Sequence, residues 1–193
     1  MIPRTAPAAL FLAVLTVNSA GLPGSFRPAL SGPALQTSSV PSTQDWSEFK
    51  YPELGFAVRF PITPKPEQQV MGEPDNKYTQ YMYVADQGSR AYMLCVFEYK
   101  PGVVPSAPDE EYFTRLINAY ADGSKTTLRK KYPKTIAGRS GFEAITDSED
   151  GSQTHLLGVI AVGNRLYLAV SMGPSGHETS TEAARFRDSF RLL

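Results

Sequence analysis

Cysteine and histidine are scarce in this chain, and neither sign of charge prevails. Its 193 residues include one Cys, two His, and 19 Lys+Arg against 19 Asp+Glu. A single cysteine, Cys95, excludes an intrachain disulfide framework, a CxxC redox pair and a Cys-rich zinc site. Zero formal net charge argues against a strongly basic nucleic-acid binder. There is no phosphate loop, no dinucleotide fingerprint and no G-x-S-x-G elbow. Hydrophobic residues make up 41% of the chain, an ordinary share for a globular protein, which argues against wholesale disorder.

The first segment with a pattern is the N-terminus. Arg4 is the only charge before Arg27, and Ala8 to Val17 is apolar except for Thr16. A basic start, a short apolar run and small residues after it describe a secretory signal peptide. The run is too short for a bilayer-crossing helix, which needs about 18 apolar residues or more. We expect a signal peptide over residues 1–20 with cleavage after Ala20; cleavage after Ser19 fits nearly as well. No Cys stands near that site for a lipid anchor, and there is no Arg-Arg pair for the twin-arginine route. Residues 21–44 are rich in Pro, Ser, Gly and Ala without apolar periodicity, so they are read as a flexible linker. Residues 45–193 then form a single domain.

Within that domain, alternation marks strands. Trp46 to Phe49 reads as a short one. Phe56, Val58 and Phe60 alternate with Ala57 and Arg59. Glu67 to Met71 is a further candidate. Lys77–Asp86 and Arg90–Lys100 read as a hairpin around Gly88. In its second strand Met93, Cys95 and Phe97 share one face, and Tyr92, Leu94 and Val96 the other. Two apolar faces predict a central strand covered on both sides. Ser106 to Asp122 reads as a helix with Ser106 and Asp109 as its capping box and Gly123 as its stop. Leu128 to Tyr132 fits neither period, and Pro133 is expected to end it. Strands follow at Thr135–Ala137, Gly141–Thr146, Thr154–Val162 and Arg165–Met172, with turns at Asp150-Gly151 and Gly163-Asn164. Glu178 to Phe190 is the last helix, with Ala183, Phe186 and Phe190 inward. This order predicts an α+β fold with an antiparallel sheet.

Three local patterns carry a resemblance. They are Gly55-Phe56-Ala57-Val58-Arg59-Phe60-Pro61, then Gly138-Arg139-Ser140-Gly141-Phe142-Glu143, then Arg185-Phe186-Arg187-Asp188-Ser189-Phe190. They resemble the "GF-x-V-x-FP … G-x-x-G-x-E … RF-x-x-SF" pattern of small exported bacterial proteins of the PsbP-like superfamily. That superfamily includes the extrinsic PsbP subunit of photosystem II and the Mog-type Ran-binding proteins. The resemblance covers most of residues 46–193. It implies an antiparallel sheet flanked by helices, an α/β/α sandwich. It implies no shared catalytic residues, and members act mainly by binding, as accessory or scaffold subunits.

Several groups are of types that can carry chemistry. His177 beside Glu178 is a weak metal hint, set against a solvated helix start as the expected state. His155 opens a strand. Cys95 with either histidine would make a thiol nucleophile, but a mid-strand Cys is expected to be buried and inert. Asp147-Ser148-Glu149-Asp150-Gly151 resembles a calcium loop, yet Gly stands one place early for an EF-hand and the closing Glu is missing. Arg129, Lys130, Lys131, Lys134 and Arg139 form a basic stretch suited to anionic headgroups or an acidic surface, with a solvated face as the default. Tyr78, Tyr81, Tyr83, Tyr92 and Tyr99 are dense enough for a binding face unless helices cover them.

No catalytic, cofactor-binding or metal residue is assigned on this basis, and the chain is read as a non-enzyme. The expected role is that of an exported, non-catalytic binding or accessory protein of the bacterial cell envelope, periplasmic or extracellular. Its partner would be an envelope protein or a small ligand, not nucleic acid, with no stable membrane anchor after cleavage. The alternatives are a small-ligand carrier with a tyrosine-lined pocket, or a secreted hydrolase using His155, His177 and the acidic turn.

Overall fold

A computed structural model describes residues 45–72 and 77–193. The expected signal peptide and linker, and most of the turn expected at 72–76, lie outside the described residues. A seven-stranded antiparallel sheet forms the centre, in the order β3-β4-β5-β9-β8-β7-β6. Its strands are β3 (Lys65–Met71), β4 (Tyr78–Asp86), β5 (Ala91–Tyr99), β6 (Thr126–Ile136), β7 (Arg139–Ser148), β8 (Gln153–Val162) and β9 (Arg165–Pro174). A smaller antiparallel sheet joins β1 (Ser47–Tyr51), β2 (Phe56–Phe60) and β10 (Arg191–Leu192), in the order β1-β2-β10. The helices are α1 (Glu110–Ser124) and α2 (Thr181–Ser189).

The double-faced reading of the hairpin holds. Met93, Cys95 and Phe97 pack into the core under α1, while Tyr92, Leu94 and Val96 pack into the core on the opposite face. α1 brings Tyr112, Phe113, Ile117 and Tyr120 to the first core. The second face differs from the expected helix layer. α2 buries only Ala183 and Phe186, too little to cover a wide sheet. β2, with Phe56, Ala57, Val58 and Phe60 all fully buried, completes the cover. The fold is therefore α+β and mostly antiparallel sheet, with a helix on one face and a small sheet plus a short helix on the other.

Helix ends shift for local reasons. Asp109, not Ser106, caps α1: its carboxylate accepts the Tyr112 N–H at 2.8 Å. The helix runs through Gly123 and stops at Lys125, in the left-handed conformation. Glu178 belongs to a short 3-10 turn, His177–Thr179, and Ser180 caps α2.

β6 is one continuous edge strand, through Pro133, which lacks only a donor that an edge strand can leave unpaired. The register shifts between Leu128 and Lys130. That bulge moves Leu128 and Tyr132, four apart, to opposite faces and erases the alternation. Beyond β6, Ala137 and Gly138 both take positive φ and make the two-residue turn into β7. Gly141 then lies opposite Ile160 of β8, where a Cβ would fall 2.2 Å from the Val159 carbonyl oxygen.

Candidate functional site

The residues singled out for chemistry do not converge. Cys95 is fully buried mid-strand, and burial pushes its thiol up to about 12. His155 lies under α1 with Nδ1 2.8 Å from the Tyr120 hydroxyl, and burial lowers its pKa to about 4. His177 sits on the other face of the sheet. It is 4% exposed, not at a solvated helix start. Its ring lies against Gly173, where any Cβ would come within 2.5 Å of it, and Ser180 Oγ is 3.2 Å from its Nδ1. Burial, then Arg90, lowers the His177 pKa. Glu178 turns away to Arg129, 2.6 Å off. Among the described residues, no three His, Cys, Asp or Glu side chains gather closely enough to hold a metal ion.

The acidic turn uses its own oxygens. Asp150 accepts from Ser148 Oγ, Ser152 N and Ser152 Oγ, which hold its carboxyl down at about 2. Asp147 accepts from Thr154 and pairs with Arg129 at 3.0 Å. The basic stretch is largely engaged too. Arg129 ties β6 to β7 and to the turn before α2. Lys131 reaches Glu110 and Thr114 of α1, 2.9 and 2.6 Å away, over the Phe142 ring. The tyrosines split between the faces. Tyr78, Tyr83 and Tyr92 are buried, and Tyr81 and Tyr99 are half-buried, so they form no exposed platform.

What does converge is the set of three sequence patterns, around α2. Phe56 and Phe60 of the first stack on Phe190 and Phe186 of the third, with ring centroids 6.2 and 5.5 Å apart. Ser189 Oγ accepts the Arg59 N–H at 3.0 Å. Glu143 of the second pattern is 1% exposed; Tyr132 donates to its Oε1, and Arg187 Nε stands 3.7 Å from its Oε2. Burial and the bond to Glu143 raise the Tyr132 phenol to about 12. Glycine at 158 faces Glu143 across the β7–β8 ladder. These contacts fasten α2 to the sheet.

On the outer side of that junction lies an open groove of about 450 Å³, lined by Glu48, Arg59, Arg185, Asp188, Ser189 and Arg191. Four elements supply it: β1, β2, α2 and β10. Arg185 stands over the Trp46 ring at 5.8 Å. Arg191 pairs with Glu48 at 3.2 Å and Lys50 with the same carboxylate at 3.4 Å. These two cations, Arg191 first, lower the Glu48 pKa. Asp188 is taken by Arg187 at 2.7 Å. A second open groove, about 290 Å³, includes Tyr78, Glu98, Tyr99 and Asn164. Its polar groups close on one another: Arg165 donates twice to Glu98, and the Asn164 amide donates to the Tyr99 carbonyl.

Sequence reasoning passed over the first groove. It weighed the basic run at 129–139, while Arg185, Arg187 and Arg191 sit at alternating and near-alternating places in the last nine residues. That density was the available signal.

No protein-family model and no curated protein matches the chain. Solved structures do match. Cyanobacterial PsbP (CyanoP) from Synechocystis sp. PCC 6803 aligns at a TM-score of 0.54 and 11% identity, over 82% of this chain and 99% of that one. A protein from Bacteroides thetaiotaomicron VPI-5482 aligns at a TM-score of 0.41 and 14% identity, over 76% of this chain and 48% of that one. The fold is PsbP-like, and at such identities the likeness is one of fold.

Proposed function

We propose that this is an exported, non-catalytic binding or accessory protein of the bacterial cell envelope, and that it works through its surface. The arginine-lined groove beside α2 carries this reading, because residues of the first and third sequence patterns line an open, charged concavity there. By contrast, the groups suited to catalysis, Cys95, His155 and His177, are buried. Two enclosed spaces among the described residues, one under each helix, measure about 10 Å³, room for about one water each. That favours surface recognition over carriage of a ligand inside the domain. The apolar run Ala8–Val17 behind Arg4 supports export, and the PsbP-like fold is in keeping with an accessory role.

The test is the mass and the location of the protein made in its own cells. A chain shortened by about 20 residues in the periplasm or medium is the expected result. An intact N-terminus in the cytoplasm overturns the reading.

A further inference from the structure

From Gly123 to Phe142 the chain holds six cations and no carboxylate. Most of this run is β6 and its turn into β7, at one edge of the large sheet. Two of the cations are spent, Arg129 on Asp147 and Glu178, and Lys131 on Glu110. Lys130, Lys134 and Arg139 are exposed and make no ion pair among the described residues. Lys130 lies over the Tyr132 ring at 5.3 Å, a contact that leaves its charge intact. The three cations share one side of the sheet. After the bulge, β6 pairs without a break from Lys130 opposite Ile145 to Ile136 opposite Arg139. Lys130, Lys134 and Ile136 therefore point the same way, and Arg139 stands beside Ile136 across the ladder. Ile136 packs on the second core, so this is the α2 side. At about 3.3 Å per residue, the row spans about 20 Å of edge. Glu143, on the same side of β7, is buried and takes the Tyr132 hydroxyl.

We infer that this edge docks on a bilayer surface of anionic headgroups, with Lys130, Lys134 and Arg139 toward the lipid phosphates. The inference rests on the envelope role proposed above and names a surface that the domain meets there. The occupant follows from how the edge is built. Pro133 has no N–H to give, and the bulge between Leu128 and Lys130 interrupts the strand. An added peptide strand would therefore find no continuous row of backbone partners. The same two devices already guard the edge against strand addition, so the cations exceed what guarding takes. Two of the three are lysines, compact charges on flexible stems that attract without fixing a geometry. Such a row meets a plane of charge all at once, and anionic leaflets attract clustered basic residues in this way. Nucleic acid is disfavoured, because Tyr132 is the one ring of β6 and its hydroxyl is tied to Glu143, which leaves no stacking platform.

The test is sedimentation of the full chain with two kinds of vesicle, at low and at physiological salt. One is phosphatidylcholine alone; the other adds an equal share of phosphatidylglycerol. The expected result is binding to the anionic vesicles in excess of the neutral ones, weakening with salt. Lys130→Glu, Lys134→Glu and Arg139→Glu together should lower it about a hundredfold or more, about fivefold for each cation lost. Lys65→Glu, Lys77→Glu and Lys100→Glu together make the same change of net charge toward the opposite edge of the sheet and should lower it far less. The parent and both variants share the N-terminal apolar run, so its contribution to vesicle binding cancels between them. All six side chains are exposed, and an unaltered melting temperature checks that each variant folds. Arg139→Glu alone, at the turn, should still cost about fivefold if the triple variant fails to fold. Equal binding to both vesicles, equal binding by the first variant and the parent, or an equal loss in the second variant overturns the inference. So does tighter binding of a fluorescein-labelled hexaglutamate peptide that the first variant loses, which would give the edge to an acidic protein. A cytoplasmic, uncleaved protein would overturn the envelope role without touching the vesicle contrast, so the two failures are distinguishable.

Discussion

On one face of the seven-stranded sheet, a 15-residue helix lays a continuous apolar stripe on the core. On the other, a nine-residue helix buries two side chains and depends on what surrounds it. α1 fulfils the usual terms of an amphipathic helix, with apolar positions three and four apart. α2 is shorter than an isolated helix that would persist in water. It is held by Phe56 and Phe60 of β2 on Phe190 and Phe186, by Glu143 of β7, by the cap at Ser180, and by the Ser189 hydroxyl, which accepts the Arg59 N–H. The comparison teaches that the three sequence patterns belong to the weaker element. They supply from elsewhere in the chain the contacts that α2 cannot make from its own stripe.

The sharpest way to break this contrast is to remove one ring from each face. Phe186→Ala deletes a 1% exposed side chain that touches Trp46, Phe60 and Tyr92. It should cost about 3–5 kcal/mol in urea unfolding. Phe113→Ala on α1 should cost a similar amount. The distinction appears in hydrogen exchange. Phe186→Ala should expose the amides of α2 and β10 well below the global unfolding free energy. Phe113→Ala should leave α1 protected, because Tyr112, Ile117 and Tyr120 remain. Protected α2 amides in the first variant would show that the helix stands without its neighbours.

Acid should act on the α1 face through His155. Its folded pKa, about 4, is below the ordinary 6.5, with burial as the main cause and the Asp147 charge opposing it. The unfolded chain therefore binds more protons between these values, so stability is whole above about pH 6.5 and falls as the pH drops toward 4. A gap of that size corresponds to about 3 kcal/mol. Urea midpoints measured from pH 7.5 to 4.5 should fall steeply in the parent. They should fall less in His155→Gln, where the titrating ring is gone. Parallel curves would assign the acid sensitivity elsewhere. His177, also lowered by burial, adds a loss in the same direction on the α2 face.

A smaller effect is expected at the buried carboxyl. Glu143→Ala leaves the Tyr132 hydroxyl and the Arg187 guanidinium without their inner partner. Arg187 is 30% exposed and keeps Asp188, so the loss should be about 2 kcal/mol, below that of a fully buried pair. Glu143→Gln should recover part of it. It should also bring the Tyr132 phenol down from about 12, a change readable in ultraviolet titration.

These contrasts also explain what the sequence disclosed. The two-sided β5 strand was legible because alternation and strand share a period of two, and nothing interrupts residues 91–97. β6 was not, because the bulge between Leu128 and Lys130 breaks the period and Pro133 imitates a stop. The second sheet was hidden because β2 pairs with β1 nearby and with β10, more than a hundred residues away. His177 reads as polar and terminal in sequence. Only the space above Gly173 shows that its ring is buried. The groove showed only as arginine density in the last nine residues, because Arg59 and Arg185 are far apart in the chain and neither period nor spacing brings them together.

The finest distinction between the faces lies at the helix caps. Asp109 accepts the Tyr112 N–H at 2.8 Å, and Ser180 accepts the Ala183 N–H at 3.1 Å. Removing either acceptor costs about 1 kcal/mol in typical helices. Asp109→Ala should stay within that figure and fray only the first turn, because the stripe of α1 fixes the rest. Ser180→Ala also removes the hydroxyl 3.2 Å from His177 Nδ1, and His177 Nε2 is already buried without a partner among the described residues. Its cost should therefore reach the upper part of the capping range, about 1.5–2 kcal/mol, and grow as the pH falls and His177 takes a proton. Urea unfolding of both variants at pH 7.5 and 5.5 would show it. Equal losses at both pH values would mean that the serine serves α2 alone and leaves the imidazole to the glycine beneath it.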